Sequence, residues 1–315
     1  MGGRLRNSSA GDKRRVAVLM LLVAAFCWGS GNVANKTVLL HLDPNTAVAA
    51  RNLVAAVVLL PFAFRELAAV SSVLAWARSS LLPSGLFAVA NILQQWAYQT
   101  ATVTNASFLV NTSSVLTPII AFLVVQERPK PRIGLAAALT LLGAYLISGA
   151  GRSLAVMNVG DSACLVSAVF YACWMVALSR HSVRHGCALS TTCVHALLTA
   201  GIGMLLVALL GPAPPANWTR AIPEVLYLGI VSTALAFGLT AAAQAHVSAS
   251  TAAVLVAAES IFGAAGAVLI LGEQPGFFSI IGAAVMLVAI ALVACAPAAP
   301  AEHFAQKTLN EGSIQ

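Results

Sequence analysis

Apolar residues in this chain form long uninterrupted runs, neither alternating with polar ones nor confined to narrow stripes, and short polar clusters separate them. Ten runs can be traced: Val16–Leu40, Thr46–Phe64, Leu82–Thr100, Ala106–Val125, Ile133–Ile147, Ser162–Leu178, Thr191–Leu210, Val225–Ala243, Ser250–Leu271 and Ser279–Val293. A bilayer core about 30 Å thick is crossed by roughly 20 helical residues. Hydrocarbon offers backbone groups no partner, so only helices or closed barrels can span it. Dense Ala, Leu and Val without a period of two excludes a barrel. The pattern predicts an all-α integral membrane bundle with ten transmembrane helices. The connections are short and carry turn residues: Asp43-Pro44, Pro129-Lys130-Pro131, Gly211-Pro212 with Pro214-Pro215, and Gln274-Pro275-Gly276. The first run follows basic residues as a signal peptide would. It is too long for one and lacks a convincing cleavage site, so a retained helix is predicted.

Composition sharpens this reading. Of 315 residues, 59% are hydrophobic and 9% charged, against about 25% charged in a soluble domain. Too few polar groups exist to cover a water-facing surface. The net charge of +7 finds its explanation in where the basic residues lie. With the N-terminus in the cytoplasm, Arg4, Arg6, Lys13, Arg14, Arg15, Arg65, Arg78, Arg128, Lys130, Arg132, Arg180, Arg184 and Lys307 all fall inside, 13 of the 17 basic residues. This asymmetry places both termini in the cytoplasm of a plasma membrane, or of an inner membrane in a bacterium. It also removes any need for a nucleic-acid partner. The six cysteines form no CxxC pair and read as small buried hydrophobes. No cofactor or metal is expected. The expected partners are the lipid bilayer, a small-molecule substrate and a second copy in a homodimer.

The chain nearly matches itself at an offset of 146 residues. Cys27-Trp28 falls on Cys173-Trp174, and Ala17, Leu19 and Val23 fall on Ala163, Leu165 and Val169. At the same offset Leu109, Val110, Ser114, Ala121, Leu123, Glu127 and Pro129 meet Leu255, Val256, Ser260, Ala267, Leu269, Glu273 and Pro275. Five spans per copy is an odd number, so the second copy enters the membrane from the opposite side. The predicted organisation is a cytoplasmic tail over 1–15, five-helix repeats over 16–150 and 160–296, and a cytoplasmic tail over 297–315. Inverted repeats place a substrate site near the midplane, between halves that alternate in access.

Cys27-Trp28-Gly29-Ser30-Gly31-Asn32 with Lys36, Pro44 and Arg51 resembles the first two helices of the drug/metabolite transporter superfamily, EamA-like branch. Leu93-Gln94-Gln95 with Tyr98 through Ser107, Thr117-Pro118 and Gln126-Glu127-Arg128-Pro129 resemble its third and fourth helices. Gly160-Asp161, Tyr227-Leu228-Gly229 with Ser232 through Phe237, and Ala258-Glu259-Ser260 with Leu271-Gly272-Glu273 resemble its sixth, eighth and ninth. The resemblance spans Val16 to Ala296. It implies ten helices in two five-helix repeats, and export or exchange of a small metabolite: an amino acid, a nucleobase or a similar polar or amphipathic solute. Ser260 stands where the family pattern has proline after the ninth-helix glutamate. That puts a proline-made break in question, although serine can also bend a helix.

Polar residues inside the apolar runs are the candidates for chemistry. Glu259 lies near the centre of its run, where an ionisable group is costly and normally faces the bundle interior. It can exchange a proton or pair with a cationic substrate, or serve as a neutral hydrogen-bonding group. Arg51, followed by Asn52, is either a helix-end anchor or an anion-binding group facing the cavity. Lys36 reads as an anchor. Asn91, Gln94, Gln95 and Tyr98 share one helix face, and Asn111 through Ser114 extend that wall. Trp28, Tyr171 and Trp174 either stack on substrate or pack. The predicted substrate-binding set is Trp28, Arg51, Asn91, Gln94, Gln95, Tyr98, Asn111, Trp174 and Glu259, with Glu259 the proton-coupling candidate. Glu127 and Glu273 read as structural caps, His195 as a hydrogen-bonded histidine, and His181 and His185 as solvated loop residues. An intramembrane enzyme would need a nucleophile–base pair or metal cluster. No GxSxG, HExxH or paired Asp motif occurs, so no enzymatic activity is expected. A passive scaffold or receptor would not need the inward polar face.

Overall fold

The computed structural model describes residues 2–127, 130–147, 157–210, 217–271 and 276–295. Of the predicted features, Arg128, Pro129, Gly211 through Pro215, Gly272 through Pro275 and Lys307 lie outside these residues. The described chain is helical and holds no strand. Its helices are α1 (Gly2–Thr37), α2 (Pro44–Leu67), α3 (Val73–Ala97), α4 (Val103–Asn111), α5 (Ser113–Val125), α6 (Pro131–Ile147), α7 (Val159–His185), α8 (Ala188–Leu210), α9 (Trp218–Tyr227), α10 (Ala236–Gln244), α11 (Ala249–Val256), α12 (Glu259–Leu271) and α13 (Phe277–Ala294). A π-helical stretch, Leu228–Leu235, joins α9 to α10, so these three pieces form one long rod. Among the described residues nine segments are long and apolar enough to cross a membrane, and Pro131–Ile147 is a shorter apolar helix of 17 residues.

Burial is reversed relative to a soluble protein. Leu19, Phe64, Leu123, Leu209 and Phe277 are exposed on the outside, while Asn52, Gln95, Ser114, Thr117 and Gln244 are sealed inside. In water that distribution would leave the large outer apolar side chains wetted. A hydrocarbon surround makes it the favourable one, because only the interior offers polar partners.

Helix starts follow local chemistry. Asp43 accepts from the Asn45 and Thr46 amides at 3.0 and 3.1 Å, with Pro44 at the first helical position of α2. Asn158 and Asp161 form a reciprocal capping box at the start of α7. The first turn of α8 is capped from another helix: the Glu66 carboxylate, at the end of α2, accepts from the Leu189 and Ser190 amides and the Ser190 hydroxyl. The helix α1 already begins at Gly2, ahead of the apolar run that starts at Val16. Once the apolar stretch has nucleated, each added residue costs little. Arg14 also fastens this end, donating to the Val293 and Ala294 carbonyls at the end of α13.

Two rods are interrupted, and both interruptions fall at the offset that relates Cys27 to Cys173: α4 and α5 begin at Val103 and Ser113, α11 and α12 at Ala249 and Glu259. At each break the backbone tightens to three-residue bonds, Thr112 to Leu109 and Val115 to Thr112 in one, Ala258 to Leu255 and Ser260 to Ala257 in the other. No proline is needed at 260. Packing partners are α2 with α8, α3 with α7, α6 with α13, and α1 with both the α9–α10 rod and α12. Glycines set the closest approaches. A Cβ on Gly143 would lie 2.7 Å from the Gly282 carbonyl, and one on Gly282 would lie 2.5 Å from the Gly143 carbonyl. The α6 and α13 backbones therefore touch directly.

Candidate functional site

Polar side chains from α1, α2, α3, α4, α7 and α12 form linked clusters inside the bundle. Arg51 anchors the largest. It is 4% exposed, so the helix-end anchor reading does not hold. Its guanidinium donates to the Asn35 side-chain oxygen on α1 and, at 2.8 Å, to that of Asn91 on α3. Asn91 also accepts from Asn52 at 3.3 Å and donates to the Tyr171 hydroxyl at 3.5 Å, and Tyr171 in turn donates to Gln94 at 2.7 Å. Gln95 donates to the Asn35 carbonyl at 3.2 Å. Tyr98 donates to Asn32 at 3.0 Å, and Asn32 to Ser107 at 3.1 Å. The face predicted from the spacing of Asn91, Gln94, Gln95 and Tyr98 thus turns inward.

These bonds leave charge uncompensated. The partners of Arg51 are neutral amides, its Nε has none, and no carboxylate pairs with it among the described residues. Glu259 is the first residue of α12, is 8% exposed, and makes no side-chain hydrogen bond or ion pair among them. Asn111, across from α12, donates to the Ser260 hydroxyl beside Glu259. Ser260 is therefore tied to α4 through its side chain. Gly29 lets α1 pass the start of α12, since a Cβ there would lie 2.5 Å from the Glu259 carbonyl.

The aromatic residues form one wall. Trp28, half-buried, donates its Nε1–H to the Ser232 carbonyl of the π-helical stretch at 2.9 Å and packs on Phe237, ring centres 4.7 Å apart. Trp174 is 2% exposed and surrounded by Phe87, Tyr171, His195 and Phe237.

Two histidine expectations are corrected. Among the described residues His195 has no hydrogen-bond partner at either ring nitrogen: it is buried and stacked on Phe87 at 5.1 Å. The aromatic ring of α3 that faces it supplies contact area but no acceptor. His181 is not a solvated loop residue. The helix α7 continues through it, and its ring nitrogens meet Ser79 and Thr191, each at 2.9 Å. Lys36 donates to the Tyr98 and Ala101 carbonyls just beyond the end of α3. Glu127 accepts from Ser250 at the start of α11, 3.4 Å away. Asn32, Asn35 and Ser107 belong to the network and were not among the predicted site residues. The spacing of Trp28, Asn32 and Asn35 along one face of α1 carried the signal.

The EamA-like transporter family model matches this chain twice, over residues 15–149 and 158–295. Two proteins of Archaeoglobus fulgidus, each described as an uncharacterized transporter, are similar to it. One is 27% identical over 291 residues, covering 87% of this chain and 96% of its own. The other is 25% identical over 292 residues, covering 91% and 89%. A solved crystal structure superposes with a TM-score of 0.73 at 18% identity, covering 88% of this chain and 94% of its own, a likeness of fold. A helical multi-pass membrane protein with an inward polar network, matched by one family model across both halves, belongs to the EamA-like transporter family.

Proposed function

We propose that this protein moves a small polar or amphipathic solute across a plasma membrane by alternating access of two inverted five-helix halves, with ten spans and both termini cytoplasmic. The carrying observation is the burial of Arg51 and Glu259 inside the bundle, neither with a charged partner among the described residues. Such groups are costly in a bilayer, and a solute pathway is their usual reason. The double family match, over 15–149 and 158–295, supports the repeat. So do the two helix breaks at a shared offset. The packing partners point the same way: exchanging the halves carries α3 on α7 into the α9–α10 rod on α1 and leaves α2 on α8 and α6 on α13 in place. With Pro131–Ile147 counted, the apolar helices of suitable length among the described residues would supply ten spans. The basic-residue asymmetry orients them.

Export, or exchange linked to protons through Glu259, is the reading of an acidic residue buried where α12 begins. Non-enzymatic transport accounts for the site without a nucleophile or metal. Purified protein in proteoliposomes, screened with a metabolite mixture under an imposed pH gradient, tests the reading. Selective movement of at least one solute is expected, and its absence across the screen would refute transport. For that solute, Glu259→Gln should abolish gradient-driven accumulation while counterflow persists. Undiminished accumulation would remove Glu259 from coupling.

A further inference from the structure

Three arginines share one edge of the bundle, where α3 and α7 reach the membrane surface. The Ser79 hydroxyl on α3 meets the His181 ring on α7 at 2.9 Å. Arg78 and Arg180, each one residue earlier, therefore stand at the same depth, and Arg184 follows Arg180 by one turn on the same face of α7. All three are exposed, and none takes part in an ion pair or a side-chain hydrogen bond among the described residues. Glu66 reaches the neighbouring turn of α8, beside Thr191, which meets the other His181 nitrogen at 2.9 Å. Its carboxylate is already occupied there by the Leu189 and Ser190 amides and the Ser190 hydroxyl. A general excess of cations on one side of the membrane accounts for basic residues at this end of the bundle. It does not require three of them on one edge with no acid between them.

The surface below these arginines is apolar and notched. Leu81 and Leu82 are exposed by 62% and 66%. Gly85, two turns from Arg78 on the same face, has no atom within 4 Å of where a Cβ would stand. Phe87 packs on Trp174, ring centres 5.7 Å apart, which sets Gly85 level with the α7 turn between Cys173 and Ala177. Those two small residues are partly exposed and lie on the face of Arg180. Seven helical residues span about 10 Å. When the arginines stand at headgroup depth, the notch therefore lies among the acyl chains.

We propose that this edge binds an anionic phospholipid, its phosphate held by Arg78, Arg180 and Arg184 and one acyl chain laid over Gly85, Cys173 and Ala177. Guanidinium forks match phosphate oxygens, which accept two parallel bonds. Basic groups gathered beside membrane helices recruit anionic headgroups. The exposed leucines and the notch lie in hydrocarbon, so an anion reaching the arginines along this edge carries a hydrocarbon tail. Each arginine contributes about fivefold at an anionic surface, and three together on the order of a hundredfold. The contact is separate from the intramembrane cluster around Arg51 and does not depend on a solute crossing the bilayer.

Binding is measured by native mass spectrometry on the purified, delipidated full-length protein. The probes are phosphatidylglycerol and phosphatidylcholine with identical chains, and soluble glycerol 1-phosphate. Phosphatidylglycerol should bind at least about tenfold tighter than phosphatidylcholine. Combining Arg78→Gln, Arg180→Gln and Arg184→Gln should erase that preference. Combining Lys13→Gln, Arg15→Gln and Arg132→Gln, on α1 and α6, removes the same charge and should keep it. Gly85→Leu fills the notch and should weaken phosphatidylglycerol binding. Equal binding of the two lipids by the wild type overturns the proposal, as does equal loss in the two triple variants, which is the mark of diffuse attraction. Unchanged affinity in Gly85→Leu overturns it too. Glycerol 1-phosphate binding as tightly as phosphatidylglycerol would replace the lipid by a free phosphate. A photoactivatable phosphatidylglycerol, with its reactive group in the acyl chain, needs no variant and remains decisive if one misfolds. Cross-links should concentrate on α3 and α7, and labelling spread evenly over the spans overturns the assignment.

Discussion

Adding a single methyl group at Gly29 tests how α1 holds the start of α12. A Cβ built there lies 2.5 Å from the Glu259 carbonyl oxygen, 2.7 Å from the Phe262 Cβ and 2.9 Å from the Gly263 nitrogen. The first falls about 0.9 Å short of the 3.4 Å at which ordinary contact begins. Two of the three atoms are backbone and the third is fixed to it, so no side chain can swing aside. The helices must separate, at a cost of about 1–3 kcal/mol for overpacking of this kind. Gly263, on the other side of the same crossing, behaves oppositely: a Cβ there meets the Gly29 carbonyl at 3.6 Å, an ordinary contact. Gly29→Ala should therefore lower the apparent melting temperature of the detergent-solubilised protein by roughly 2–10 °C, and Gly263→Ala should melt with the wild type. Because the displaced backbone is that of Glu259, proteoliposome flux should fall with Gly29→Ala and persist with Gly263→Ala. Equal melting of Gly29→Ala and wild type, or equal damage by the two substitutions, would refute the reasoning.

Asn91→Leu removes the acceptor shared by Arg51 and Asn52 and should destabilise by about 1–3 kcal/mol, read as a lower unfolding midpoint, whereas Asn91→Asp should restore the acceptor and recover most of the loss. Glu66→Ala strips the cap from the Leu189 and Ser190 amides and should cost about 0.5–2 kcal/mol, with hydrogen exchange accelerating first in the opening turn of α8. His246 lies between α10 and α11, and burial together with Lys13 holds its imidazole below the ordinary histidine range. The unfolded chain then binds the extra proton, so this contribution is intact above the ordinary pKa of about 6.5 and is lost as pH falls below it. His246→Gln should flatten the decline of melting temperature between roughly pH 7 and pH 5, and an unchanged slope would contradict the assignment.

Much of the fold was legible because a bilayer imposes one rule on every span: apolar length. That rule found all ten runs, yet it misplaced ends wherever a helix continued into polar sequence, as α3 does from Val73 and α7 through His185. Capping by Ser72 and the Asn158–Asp161 box determines those starts, and hydropathy is blind to caps. The inward face of α3 was readable from the spacing of Asn91, Gln95 and Tyr98, since uniform apolar surroundings make a polar stripe conspicuous. The break before Glu259 was harder to see. Its expected marker was a proline, whereas the chain tightens there without one and ties Ser260 to Asn111. The missing partners of His195 and the cap that Glu66 gives α8 depend on which helices meet, and a single sequence does not carry that information.

The contact between Gly143 and Gly282 also bears on how the sequence can change over time. Each glycine's vacant side-chain position is filled by the other's carbonyl, so the pair behaves as one inherited unit. A side chain can enter at either position only if α6 and α13 move apart, which opens a gap at the other. Homologous chains should therefore vary at these two positions together, either both small with touching backbones or both larger with a wider crossing. Chains that mix the two states should be rare, because they carry the clash without the space to relieve it.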